Sequence, residues 1–163
     1  MDNGNSNYSR YMAELKKRVK AEIIDLAPPE KQKEVEEEIY EKKDFMNTQE
    51  YIDDVNTWDE DTFKTQMESI QQTIVEWKGL YGYSPNYLKY LAAIDKIIEE
   101  FMPTVPDEKK QKVREEIESN KSEKMCNLDI RAMINSMSDD LIESLLTKVN
   151  ESLITELKEK YLS

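Results

Sequence analysis

Along most of the chain, apolar residues recur at spacings of three and four, the period of helices that bury one stripe. Tyr8, Met12, Leu15, Val19 and Ile23 form such a stripe, and so do Tyr87, Leu91, Ile94, Ile98 and Phe101 or Met102. A thinner seam of Val35, Ile39 and Met46 runs through an otherwise charged stretch, and Val113, Ile117 and Met125 form a second one like it. The pattern predicts a short helix over Gln49–Asn56 and another over Asp129–Asn135. A long helix that buries Phe63, Met67, Ile70, Ile74 and Trp77 is answered by one that buries Ile142, Leu146, Val149 and Leu153. Asp59 reads as an N-cap, with Trp58 before it and Phe63 four residues after it, the arrangement of a hydrophobic staple. Met137, Ser138 and Ile142 repeat the device.

These pairings share one offset. At a shift of 79 positions, residues 7–78 give 14 identities in 72 pairs, including Asn7/Asn86, Tyr8/Tyr87, Tyr11/Tyr90, Ala13/Ala92, Asn56/Asn135 and Asp61/Asp140. Around Pro28/Pro106 the register slips to 78, and each proline suits the first turn of the charged helix. The expected organisation is a disordered N-terminus at 1–6, a helical repeat at 7–79, a short joint at 80–85 and a second repeat at 86–163. The joint is rich in aromatics and glycine. Trp77, Leu80, Tyr81 and Tyr83 are its residues, and Gly79 and Gly82 make it the expected hinge. The expected fold is all-α, a tandem duplication of a four-helix unit. The units pack either as a pseudo-two-fold pair or as a short helical solenoid. Oligomeric state stays open, with a monomer of internal pseudo-symmetry as one form.

Composition supports helices and removes much chemistry. The chain has 163 residues, with only three glycines and five prolines, so a many-stranded sheet has few turns to draw on. Histidine is absent and Cys126 stands alone, so no Ser-His or Cys-His pair and no Cys/His zinc set can be written. Three glycines cannot supply a phosphate loop or a dinucleotide fingerprint. No cofactor, metal or catalytic residue is therefore assigned, and a carboxylate-using helical enzyme ranks last among the readings. The polar N-terminus, the lack of a long apolar run and the single cysteine predict a cytoplasmic protein away from membranes.

Charge then locates a candidate site. The net charge is −12, which argues against direct nucleic-acid binding. Residues 27–63 hold 4 Lys/Arg and 13 Asp/Glu, whereas 106–142 hold 7 and 9, so the acidity lies in one quarter of the chain. Within it, Asp53, Asp54, Asp59, Glu60 and Asp61 surround Trp58, which the second repeat replaces with Met137. The spacing fails as an EF-hand loop, with Trp58 at position 5 and Thr65 at position 12. Acids at a helix start meet the positive end of its dipole without any ion. Trp beside a charged rim is common at binding surfaces. The expected role is a non-enzymatic adaptor or inhibitor that presents this face to a basic protein. The alternative is a nucleic-acid mimic that blocks a DNA- or RNA-binding protein. The stretch LAPPEKQKEV at Leu26–Val35 resembles part of the peptide-binding C-terminal domain of poly(A)-binding proteins, but the signature of that family does not follow, and the resemblance implies no site residue.

Overall fold

The structure, a computed structural model, describes residues 6–162. Every regular element among them is helical, and the chain divides into two compact units, with the boundary in sequence between Tyr83 and Ser84. Five of the six residues expected to be disordered at the N-terminus lie outside the described residues. The sixth, Ser6, caps the first helix, its hydroxyl accepting from the Ser9 N–H at 3.1 Å.

In the first unit, α1 (Asn7–Val19) continues into a π-helical turn, Lys20–Ile24. A 3₁₀ turn at Pro29–Lys31 leads into α2 (Gln32–Lys42), and a second at Asp44–Asn47 leads into α3 (Gln49–Asn56). The long α4 (Glu60–Tyr81) closes the unit. Its core is the pattern read from the sequence: Leu15, Val19, Ile23, Val35, Ile39, Val55, Ile70 and Ile74 are all buried. Each such side chain contributes roughly 1.5–3 kcal/mol against exposure. Met67 is only half-buried.

In the second unit, α5 (Pro85–Phe101) is followed by two 3₁₀ turns, Met102–Thr104 and Asp107–Lys109. Next come α6 (Lys110–Asn120), a π turn at Lys121–Met125, α7 (Leu128–Asn135) and α8 (Asp139–Tyr161). Tyr87, Ile94, Ile98, Phe101, Ile117, Ile134, Ile142 and Leu153 form the core, while Leu146 and Val149 are half-buried. The guanidinium of buried Arg131 lies 5.7 Å from the Tyr87 ring, within cation–π range.

The caps of the third and fourth helices agree position for position between the units. Thr48 accepts from the Tyr51 N–H, and Asn127 accepts from the Ile130 N–H. Asp59 accepts from Thr62, and Ser138 accepts from Leu141. Asn7 donates its side-chain amide to the Trp58 carbonyl at 2.9 Å, and Asn86 donates to the Met137 carbonyl at 3.3 Å. The Asn56 side chain accepts from the Tyr8 N–H, whereas that of Asn135 accepts from the Ser84 N–H, three residues before the matching Tyr87. Thr57 and Ser136 return their hydroxyls to the carbonyls of Asp54 and Met133.

Both register slips coincide with a π turn. Between Asn7 and Pro28 the first unit has one residue more than the second has between Asn86 and Pro106. The extra residue falls on the stretch where Asp25 donates to the Lys20 carbonyl, five residues back. Between Pro106 and Asn127 the second unit has the extra residue, and there Cys126 donates to the Lys121 carbonyl. A π turn holds one residue more than an α turn, so it absorbs an insertion without breaking the helix.

Two local expectations change. Pro28 and Pro106 stand in extended backbone just ahead of the helical turn rather than within its first turn. Gly79 is not a hinge: α4 runs through Gly79, Leu80 and Tyr81, and only Gly82–Ser84 leave the helix. Gly82 is required sterically, because a Cβ there would lie 2.5 Å from the Lys78 carbonyl oxygen, to which the Gly82 N–H already donates.

Candidate functional site

The acidic residues singled out by sequence fall on two adjoining elements. Asp53 and Asp54 are exposed on the last turns of α3, where the side-chain amide of Gln49 donates to Asp53 at 2.8 Å. Asp59 caps α4, and Glu60 and Asp61 occupy its first turn. The Asp59 carboxyl is held below the usual carboxylate range, chiefly because the Thr62 N–H donates to it at 2.8 Å. That bond favours the charged form. Trp58 lies between the two helices and is half-buried rather than free. Its ring meets Tyr11 edge-on at 5.4 Å, and its carbonyl is taken by Asn7. Trp58 thus braces α1 against the α3–α4 corner, and the acids project around it.

A shallow groove beside this corner is lined by Phe45, Thr48, Glu50, Tyr51, Asp53, Asp54 and Thr57. It joins Asp53 and Asp54 to two aromatics that the sequence did not single out. Phe45 is 51% exposed and meets Tyr51 edge-on at 5.5 Å. Tyr51 in turn meets the Tyr8 ring at 6.2 Å. Burial, together with the nearby Tyr11, Tyr8 and Asp54, pushes the Tyr51 hydroxyl up to about 12. The groove is an aromatic floor with an acidic rim. A signal for it was present in the internal comparison: Phe45 corresponds to Lys124 and Tyr51 to Ile130, as Trp58 corresponds to Met137. Among the described residues no three Asp, Glu, Cys or His side chains are placed to share one metal ion.

The other sequence-derived group separates into buried and exposed members. Trp77 is 6% exposed, with the Lys43 ammonium 5.5 Å from its ring. Tyr81 and Tyr83 are buried, whereas Leu80 is exposed. Trp77 is thus a core residue of the first unit, placed where α2 ends. Among the described residues, no helix is long and apolar enough to cross a membrane. No family model, curated protein or solved structure matches the chain, so its function rests on its own residues.

Proposed function

We propose that the chain is a tandem duplication of a four-helix unit, and that the first copy docks on a basic protein surface as a non-enzymatic adaptor or inhibitor. The repeated caps and the two π turns at the register slips support the duplication. Unrelated helical hairpins have no reason to share side-chain-to-backbone bonds at matching positions.

One observation carries the docking role: exposed Phe45 and half-buried Tyr51 lie beside Glu50, Asp53 and Asp54 in one groove. An arginine or lysine can lay its aliphatic stem on the rings while its charged head meets the carboxylates. The corresponding residues of the second unit, Lys124, Ile130, Asp129, Ala132 and Met133, do not repeat that combination.

Affinity capture from the source cell, at low and at high salt, tests this reading. Phe45→Ala should weaken the captured complex by about 10-fold or more, as loss of an aromatic anchor does. Asp53→Lys with Asp54→Lys should abolish it. Binding that survives both changes would end the proposal. Steep salt dependence together with displacement by DNA would replace it with the nucleic-acid mimic.

A further inference from the structure

The second unit contains an apolar cavity of about 200 Å³, floored by Ile98, Ile117, Leu153 and Leu157. Lys121, Lys124 and Lys160 stand around it, with Glu156 and Tyr161 in its wall. We propose that this cavity binds one planar aromatic ring carrying, or flanked by, an anionic group. The inference rests on the duplication proposed above, because Glu156 occupies the position of Trp77 and Lys121 that of Lys43.

In the first unit this place is filled from within. The Trp77 indole is buried there and the Lys43 ammonium lies over it. The second unit keeps the lysine and, in Ile98, Ile117 and Leu153, apolar residues at the positions of Val19, Ile39 and Ile74, but it has Leu157 at the position of Lys78 and a carboxylate at that of the indole. What remains is a socket for a ring that the chain no longer supplies.

Size and charge narrow the ligand. A cavity of roughly 150 Å³ accepts benzene, while drug-sized ligands need roughly 300 Å³ or more, so a single ring system fits. Lys121 is fixed at the rim by Asp95 at 2.5 Å and by Glu118 at 4.0 Å, which holds a cation in place for the ring face. Glu156 repels an anion on its own side, which leaves Lys124 and Lys160 to receive the charged substituent. The Tyr161 hydroxyl is buried and has no hydrogen-bond partner in bonding geometry, although Glu116 acts on it from nearby.

Titration of the full chain with indole-3-acetate and with neutral indole, followed by amide NMR shifts, tests the proposal. Indole-3-acetate should shift the amides around Ile98, Ile117 and Leu153 with a Kd on the order of 1 mM or tighter. Lys124→Glu with Lys160→Glu should weaken the acid at least about fivefold and leave indole unchanged. Glu156→Trp should fill the cavity as the first unit does, abolishing binding while keeping or raising Tm. Should that variant fail to fold, Glu156→Phe makes the same test with a smaller ring. Shifts that map elsewhere, or binding that persists in the filled variant, would overturn the pocket. An introduced indole that is buried, in a chain whose wild type binds no ring, would overturn the pocket and leave the duplication standing. An introduced indole that is exposed to solvent would overturn the equivalence itself. Tighter binding by an acidic peptide containing Trp than by indole-3-acetate would support the pocket and assign the ring to a partner side chain. The reverse order would support it and assign a free aryl carboxylate.

Discussion

The exposed sides of α3 and α7 show how far two similar frames can differ at their surfaces. On α3 the surface positions are Asp53 and Asp54, followed by Thr62 on α4. The matching positions of the second unit are Ala132, Met133 and Leu141, and the last two are exposed. Yet the bonds that hold each helix end are the same in both places, from Thr48 and Asn127 to Asp59 and Ser138. A capping bond has one geometry and few residue types that make it, so it tolerates little change. A solvated position on the outer face of a helix has almost no such constraint. Positions where the units differ are therefore free to carry function, and positions where they agree are better read as frame. Trp77 and Glu156 stand out because they differ inside the frame.

That pair gives the largest expected effect. Trp77→Ala removes a buried indole and should destabilise the chain by about 3–5 kcal/mol, read from urea unfolding. Glu156→Ala should change stability by no more than about 0.5 kcal/mol, because the residue is exposed and no core contact depends on it. Equal costs for the two would break the comparison between a filled and an open unit. Hydrogen exchange in the Trp77→Ala variant should report loosening first in the amides of α2 and α4.

High pH acts on both units by the same mechanism. Burial pushes the hydroxyls of Tyr51 and Tyr90 up to about 12, one in each unit. A phenol whose folded pKa lies above its unfolded value of 10.0 stabilises the fold fully below that value. The contribution is lost as pH rises through the folded value, because the unfolded chain releases its protons first. Tm should therefore hold up to about pH 10 and fall steeply toward pH 12. Phenolate absorbance that appears before unfolding would show these hydroxyls to be more accessible than their burial implies.

The two glycines that the sequence grouped together should separate by sign. Gly82→Ala places a Cβ against the Lys78 carbonyl and should cost about 1–3 kcal/mol. Gly79 lies inside α4 with open space around its missing Cβ, so Gly79→Ala should stabilise by about 0.4–1 kcal/mol. A destabilising Gly79→Ala would mean that the end of α4 is not the continuous helix described.

The same glycines show what sequence reasoning could reach. Periodicity located the helices because burial of one face is a local, repeating requirement, and Leu15, Ile39, Ile74 and Ile94 obey it. The caps at Asp59 and Ser138 were legible because a cap acts over three residues. Where a glycine sits relative to a helix end depends on a carbonyl four residues back, and "GLYGYS" alone does not reveal that. The acids of the candidate site were visible as charge, but Phe45 and Tyr51 were not. Their meeting with Asp53 depends on how the 3₁₀ turn at Asp44–Asn47 folds against α3, which no periodicity encodes. Trp58, singled out because Met137 stands at the matching position, is half-buried for the same reason: only the Tyr11 ring, distant in sequence, shows what it packs on.

The smallest effect separates two caps that do the same work with different chemistry. Ser138→Ala should cost about 1 kcal/mol, the usual loss when an N-cap side chain is removed. Its hydroxyl does not titrate, so this cost should be the same near pH 7 and near pH 3. Asp59→Ala should also lower the urea midpoint at pH 7, because the carboxylate accepts from Thr62 and faces the positive end of α4. Here pH matters. The Asp59 carboxyl is depressed below its ordinary 3.8, so its contribution is present above that value and fades as pH falls through the folded one. The difference between wild type and Asp59→Ala should therefore shrink on acidification, while that between wild type and Ser138→Ala should not. Parallel behaviour of the two variants would mean that Asp59 caps only as a neutral acceptor. The acidic character of the first unit would then add nothing to its frame, and its carboxylates would be left to the surface alone.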